Sequence, residues 1–370
     1  MDVKPATRYH QRMQPGPLAA LAGRRVGAHL PLAGGMVKAV DRALAIGATC
    51  LQVFADNPSA WRRRPTPPAD LPAFRARLLA DDVLPLAIHG PYLLNLAASD
   101  ETIWGRTVEA LVAELRMASV YGAAYLNVHI GSHRGHGSEI GVGRIAEAAR
   151  RVLAEVPPVT SDPPPVPAGF RSVPGGPLLV LENSAGGGDG LGGTVEELAA
   201  IQEAIGDAGA DTTRVAFCLD TAHAWGAGYE ISRPEEADRL LAALDAALGP
   251  GRIVMVHLND SKAALGSHAD RHEHIGAGAI GAAGLRAMLL HPRLSAVPFY
   301  LETPGMDEGF DAVNMERVRM ILRGDPLPEL PPARARRAPR PVGRAATKPA
   351  GKPGGGAARP RRVRSRPAAD

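Results

Sequence analysis

The sequence predicts an α/β protein: a single parallel (β/α)8 barrel of the TIM type, followed by a disordered basic tail. Two observations predict the barrel. Eight short runs between residues 25 and 302 are near-continuously apolar, as strands buried on both faces of a parallel sheet are. Segments of helical periodicity lie between them, and strand–helix pairs repeated in series close into a barrel. A third observation marks the tail, where the chain after Pro331 turns to Pro, Gly, Ala and Arg with almost nothing apolar to bury. A doubly wound open sheet is the alternative architecture, but eight well-spaced units and the chain length favour closure.

The runs, in order, are Arg25–His29, Cys50–Phe54, Leu86–His89, Tyr125–His129, Leu178–Glu182, Val215–Asp220, Ile253–His257 and Phe299–Glu302. Among the helical segments, TIWGRTVEALVAELRMASVYG is clearest, with apolar residues at Val108, Leu111, Val112, Leu115 and Ala118. TVEELAAIQEAIG opens with Thr194 and Glu197 at the spacing of a capping box. RPEEADRLLAALDAALG has proline near its start, acids in its first turn and glycine after its end. A Pro-rich insertion, Val156 to Pro177, interrupts the alternation between a helix and the next strand. It is expected at the face away from the chemistry, with no function assigned. The bounds expected are an N-terminal extension at 1–24, the barrel at 25–325 and the tail at 326–370.

Composition narrows the class. The chain has 370 residues, 45% hydrophobic, enough for a sizeable core. No run of eighteen apolar residues exists, so no membrane span is expected. The first residues, MDVKPATRYHQRMQPGP, lack the apolar centre of a secretory signal. Cys50 and Cys218 sit in or beside apolar runs and are expected as core residues of a cytoplasmic protein. Charge is unevenly spread. Pro331 to Asp370 holds twelve Lys and Arg against one acid, so the tail carries +11 of a net +4 and the first 330 residues carry −7. A flexible basic arm suits a polyanion such as DNA or RNA; a solvated tail of no specific use is the plainer reading.

The polar residues fall where a barrel keeps its chemistry, because all strand C-termini open on one face. His29 ends the first run, His89 the third, His129 the fourth, Glu182 the fifth, Asp220 the sixth, His257 the seventh and Glu302 the eighth. One such histidine is ordinarily a hydrogen-bonded core residue. Seven of eight run ends in His, Asp or Glu is a different matter, because an unpaired buried carboxylate costs several kcal/mol. Divalent metal is the economical neutraliser, and imidazole nitrogen with carboxylate oxygen suits Zn²⁺, Mn²⁺ or Fe²⁺.

LDTAHAWGAGY adds His223 three residues after Asp220, and VHLNDSKAALGSHADRHEHIGAG adds Asp270 and His272 beyond His257. A polar surface loop is the bland account of the second stretch. With these, His89, His129, Glu182, Asp220, His223, His257, Asp270, His272 and Glu302 make nine candidate ligands. A carboxylate can bridge two ions, so nine ligands can hold three metals and leave positions for water. GDGLGG, Gly188 to Gly193, matches a dinucleotide fingerprint, but it comes too late after its strand and is expected as a flexible loop.

GAHLPLAGG, HGPYLLNLA, LNVHIGSH, LENSAG, CLDTAHAWGAGY, HLNDSKAALGSHADRHEHIGAGAIG and LETP, spread over residues 25–323, make the chain resemble endonuclease IV, the metal-dependent apurinic/apyrimidinic endonuclease family (AP endonuclease family 2). The resemblance implies a TIM-type barrel holding three metals, usually zinc, with Mn or Fe possible at some sites. It implies a first ion on His89, His129 and Glu182, a second sharing Glu182 and adding Asp220, His257 and Glu302, and a third on His223, Asp270 and His272. It also implies hydrolysis of the phosphodiester 5′ to an abasic site in double-stranded DNA, leaving a 3′-hydroxyl, with related activity on blocked 3′ ends. Glu182 would be catalytic, bridging two ions that share a hydroxide. Three divalent ions would offset most of the body's −7 where the phosphate sits.

Candidate DNA contacts are Tyr92 and Asn95 of HGPYLLN and Asn57, Trp61 and Arg62 of ADNPSAWR. Relatives often carry Arg or Gln in that second loop. Here no basic residue precedes Arg62, and Arg62, Arg63 and Arg64 are the candidates for phosphate contact. HEHIGAG has Glu273 and Ala277 where relatives often have His and Glu. His29 is expected as a hydrogen-bonding support of the ligands, and Tyr229 as packing.

Two other classes stand against this one. A sugar isomerase or epimerase on the same barrel would use Glu182, Asp220, His257 and Glu302, but one-metal sugar chemistry has no use for the other five. A non-catalytic DNA-binding protein on a decayed barrel would have lost ligands, and the set is complete. Nothing in the sequence demands an oligomer, and a monomer is expected.

Overall fold

The computed structural model describes residues 16–158, 164–173, 175–305 and 309–332; the tail expected as disordered lies outside them from residue 333 on. The elements are α1 (Pro17–Ala20), β1 (Val26–His29), α2 (Met36–Ala45), β2 (Leu51–Phe54), α3 (Leu71–Ala80), β3 (Leu86–His89), α4 (Glu101–Tyr121), β4 (Tyr125–His129) and α5 (Ser138–Glu155). Then come β5 (Leu178–Glu182), α6 (Val195–Asp207), β6 (Val215–Asp220), α7 (Thr221–Ala227), α8 (Pro234–Leu248) and β7 (Ile253–His257). A two-residue pair, β8 (Asp260–Ser261) and β9 (His272–Glu273), precedes α9 (Gly281–Leu290), β10 (Phe299–Leu301) and α10 (Phe310–Arg323).

Eight parallel strands close in the order β1-β10-β7-β6-β5-β4-β3-β2. Each apolar run of the sequence is one of these strands, to within a residue at either end. Helix ends follow local chemistry. The Asp100 side chain accepts from Ile103 N–H at the start of α4, and Gly122 at φ 71° ends it in the left-handed conformation. The Thr194–Glu197 capping box forms at the start of α6.

Apolar side chains fill two shells. The larger lies between strands and helices and includes Leu51, Phe74, Leu111, Ile145, Ile201, Leu241 and Val318. A smaller cluster, with Cys50, Tyr125, Val180, Cys218, Met255 and Tyr300, is made almost wholly of strand residues. Both cysteines are free and buried. The described residues of the Pro-rich insertion pack against the N-terminal end of the barrel. Val166 and Val173 pack on the smaller cluster, and Tyr125, first in β4, donates its hydroxyl to the Arg171 carbonyl at 3.0 Å. The Arg171 guanidinium donates to the carbonyls of Gly251 and Thr213, just ahead of β7 and β6.

Packing extends beyond the expected bounds on both sides. Leu21 is fully buried, Leu327 packs on the core, and Arg317 donates to the Pro328 carbonyl at 2.7 Å. Residues 21–24 and 326–328 therefore belong with the barrel.

One contact tests this packing. A Cβ on Gly27 of β1 would overlap the carbonyl of Cys50, at the start of β2. Gly27→Ala is expected to lower stability by about 3 kcal/mol, the upper range for overpacking, read as a lower thermal midpoint; an unchanged midpoint would contradict the registry of β1 on β2.

Candidate metal centre

Strand register gathers the run ends into one layer. His29 pairs with Gln52, His89 with Asn127, His129 with Glu182, and Asp220 with His257. Three groups of ligand atoms result, each within 4.8 Å: His89, His129 and Glu182; Glu182, Asp220, His257 and Glu302; and Asp220, His223 and His272. Asp270, half-exposed, approaches the third group, 3.3 Å from His223 Nε2 and 3.1 Å from His272 Nε2. All nine residues expected as ligands thus converge, with Asp220 also reaching the third group.

Glu182 joins the first two groups. One oxygen faces His129 at 3.6 Å and His89 at 3.7 Å, and the other faces His257 at 3.1 Å and His223 at 3.3 Å. Asp220 joins β6 to α7. Its Oδ1 caps that helix by accepting from His223 N–H at 2.8 Å.

The imidazoles are oriented for ligation. His89, His223 and His272 each have Nδ1 against a backbone carbonyl, of Gly90, Asn183 and Glu302, at 2.7, 2.9 and 2.9 Å. A carbonyl only accepts, so Nδ1 carries the proton and Nε2 presents a lone pair. His257 is reversed. Gln52 must turn its amide nitrogen to the Glu302 carboxylate at 2.6 Å, so its oxygen meets His257 Nε2 at 3.0 Å and leaves Nδ1 for the carboxylates. His272 Nε2 is buried and faces carboxylate oxygens of Asp270 at 3.1 Å and Asp220 at 3.6 Å. A set of carboxylates and aimed lone pairs fits divalent metal.

The sequence reading did not single out four supporting amides. Gln52 orients His257 and Glu302 together. Asn127 donates to Glu182 at 2.6 Å. Asn259 donates to Asp220 at 2.7 Å and accepts from Glu302 N–H at 2.9 Å, and Asn183 accepts from Asp220 N–H at 2.6 Å. A polar residue inside an apolar run, as in LQVF and YLNVH, was the available signal for two of them. His29, expected as a support of the ligands, has Nδ1 3.0 Å from Glu302.

Electrostatics follow from this enclosure. Burial opposes the charge on Glu182, yet His257 and His129 hold its carboxyl well below the usual range. Burial likewise opposes the charge on His272, and Asp220 and Asp270 raise it to about 9. His223 and His257 are raised well above the ordinary imidazole value, burial being outweighed by Asp220 and Asp270 for the first and by Cys218 and Glu302 for the second.

The rim needs three corrections. Asn95, expected at the DNA, is buried with its amide committed to the Ser132 backbone, donating at 3.0 Å and accepting at 2.9 Å. Arg63 is no free phosphate contact: it pairs with buried Glu114 at 2.8 Å and donates to the Asn57 carbonyl at 2.8 Å, bracing the loop after β2. The glycine stretch 188–193, expected as a flexible loop, is tied down by backbone hydrogen bonds, with Ser184 N–H on Gly192, Leu191 N–H on Gly131 and His133 N–H on Asp189. Asn57 and Arg62 are exposed, Trp61 packs partly on the core, and Tyr229 packs there too. Tyr92 is 64% exposed at the mouth, its ring 5.2 Å from Phe54 and 6.1 Å from His89. The mouth cavity, about 210 Å³, is lined by the histidines with Phe54, Tyr92, Asp270 and Glu302.

Comparison with known proteins adds to this geometry. Residues 40–322 match the family described as a xylose isomerase-like TIM barrel (AP endonuclease 2). A protein of Methanoculleus marisnigri named "Probable endonuclease 4" is 40% identical over 296 residues, 80% of this chain and 98% of that one. Its namesake in Halothermothrix orenii is 36% identical over 79% of this chain and 99% of its own length. The crystal structure of endonuclease IV from Thermus thermophilus superimposes with a TM-score of 0.66 at 40% identity, covering 81% of this chain and 99% of that one. A D-tagatose 3-epimerase-like protein shares the fold at 17% identity, with a TM-score of 0.54.

Raised imidazole pKa values predict proton release on ligation, since each ligand nitrogen must be bare. Affinity of the metal-stripped protein for Zn²⁺ is expected to climb as pH rises, until His272 has lost its proton near 9. Titration calorimetry in two buffers of different ionisation heat reads the protons directly. A binding heat indifferent to the buffer would refute the assignment.

Proposed function

The chain belongs to the endonuclease IV family of AP endonucleases, and from that premise we propose that it hydrolyses the phosphodiester on the 5′ side of abasic sites in double-stranded DNA. The product carries a 3′-hydroxyl, and the same chemistry clears blocked 3′ ends. The chain is a DNA-repair hydrolase, and it matches relatives named "Probable endonuclease 4" over nearly their whole length. The observation that carries the finer reading is the joining of three ligand groups through Glu182 and Asp220. A one-ion sugar isomerase or epimerase needs only the middle group, and the epimerase-like likeness extends to the fold alone.

His89, His129 and Glu182 would hold one ion, Glu182, Asp220, His257 and Glu302 a second, and His223, Asp270 and His272 a third, zinc being the first candidate. Bound divalent ions supply charge compensation for the phosphoryl group and lower the pKa of water toward about 7. The chain's own residues set the stage. Glu182 fixes the separation of the first two groups, Gln52 and Asn127 brace its layer, and Tyr92 and Phe54 form an aromatic edge at the mouth. Tyr92, Asn57 and Arg62 are the exposed candidates for DNA contact. The basic tail adds sequence-independent affinity for the backbone. The protein acts as a monomer in the cytoplasm; no helix among the described residues is long and apolar enough to cross a membrane.

A duplex with one tetrahydrofuran abasic analogue tests the reaction, because that analogue resists β-elimination. A nick on its 5′ side is expected, abolished by chelator, restored by zinc and slowed roughly 100-fold in His272→Ala. No nick from zinc-loaded protein would reject the endonuclease and turn attention to ketose and aldose substrates. Truncation after residue 332 is expected to weaken duplex binding and flatten its dependence on salt, with the cleavage position unchanged; an unaltered salt slope would remove the tail from the binding surface.

A further inference from the structure

We infer that Asp260 is the positioning residue for the third ion: its carboxylate clamps the strap that carries Asp270 and His272, without being a ligand itself. This rests on the three-ion reading above. Asp260 follows His257, Leu258 and Asn259 and is fully buried. It is absent from every ligand group among the described residues. Its partners are instead backbone donors. The carboxylate accepts from Ser261 N–H at 2.8 Å, Gly278 at 2.9 Å, Ile280 at 3.0 Å and Gly281 at 3.2 Å.

Those donors lie at the two ends of one strap, so a single carboxylate closes a loop running from Ser261 to Gly281. The ligand His272 sits inside that loop and pairs with Ser261, the residue next to the clamp. Lys262 N–H on the Arg271 carbonyl at 2.8 Å and Ala279 N–H on the Ser261 carbonyl at 2.8 Å complete the fold of the strap. Gly278 comes in close: a Cβ there would lie 2.6 Å from Asp260 Oδ1 and collide with the Ser261 carbonyl.

The contrast with the other groups gives the inference its content. His89, His129, Glu182, Asp220 and His257 end barrel strands and are fixed by the sheet ladder. Asp270 and His272 stand outside the barrel sheet, on a strap held by the short β8–β9 pair and the clamp, and closing such a strap costs chain entropy that a preformed clamp removes in advance. Loosening the clamp should therefore weaken one ion of three.

The test uses full-length protein stripped by chelator and titrated with zinc, counting ions per chain by elemental analysis after gel filtration. Wild type is expected to hold three. Asp260→Asn keeps the size of the side chain but sets an N–H₂ against backbone N–H groups; it is expected to hold two ions firmly and the third 10- to 100-fold more weakly, with excess zinc restoring it. Gly278→Ala reaches the same clamp through the backbone and carries the test should the first variant fail to fold, with circular dichroism of both as the check. Third-ion affinity equal to wild type in a folded variant, or equal weakening of all three ions, would overturn the inference alone. Fewer than three ions in the wild type would overturn the three-ion reading and the inference with it.

Discussion

Glu182 ends β5 with almost no contact with solvent, and a carboxylate in that position stays ionised only if its surroundings are built for it. Much of the barrel mouth can be understood as that construction. Imidazoles face both of its oxygens, on the β3–β4 side and on the β6–β7 side. Asn127 takes a lone pair from one flank. Because the two oxygens point to different groups, one buried charge sets the spacing between them. The cost of stranding it keeps the neighbours in place, since removing one partner of a buried charge is far more destabilising than the pair is stabilising.

The stretch HLND shows how densely the roles are packed. His257 is a ligand candidate of the middle group, and Leu258 is a fully buried core residue whose N–H continues the ladder to Tyr300. Asn259 ties Asp220 to the Glu302 backbone, and Asp260 grips the far end of the following loop. Alternation along an extended segment allows this, as successive side chains point to opposite sides. The third group therefore hangs from the same segment that supplies the second, and the two are mechanically continuous.

The barrel was legible because parallel strands buried on both faces are apolar runs, and little else in a chain looks like that. Six of the nine ligand candidates, His89, His129, Glu182, Asp220, His257 and Glu302, were legible for a related reason: His, Asp and Glu break the apolar rule at the strand end that faces the mouth, whereas His223, Asp270 and His272 lie beyond the strands and were read from their motifs. Gln52 and Asn127 were not, because a lone amide within a strand gains its meaning from register, and pairing His29 with Gln52 and His89 with Asn127 is a property of the closed sheet. Arg63 was misjudged for the opposite reason. Beside Arg62 and Arg64 it reads as solvent charge, while its partner Glu114 lies 51 positions away on α4. The glycine stretch 188–193 looked loose because glycine permits mobility, yet here glycine permits close approach, with Gly187 just ahead of it against the His268 backbone.

The Pro-rich insertion has a consequence for traffic through the molecule. With Val166 and Val173 packed on the cluster of Tyr125 and Tyr300, and the Arg171 carbonyl held by Tyr125, the described residues fill the N-terminal end of the barrel, opposite the mouth. The cavity that reaches the candidate ligands is lined at that mouth by Tyr92 and Asp270. A duplex lying across that mouth would cover the approach to the ligands, so that exchange of water and ions with the cavity would slow for as long as it stays bound.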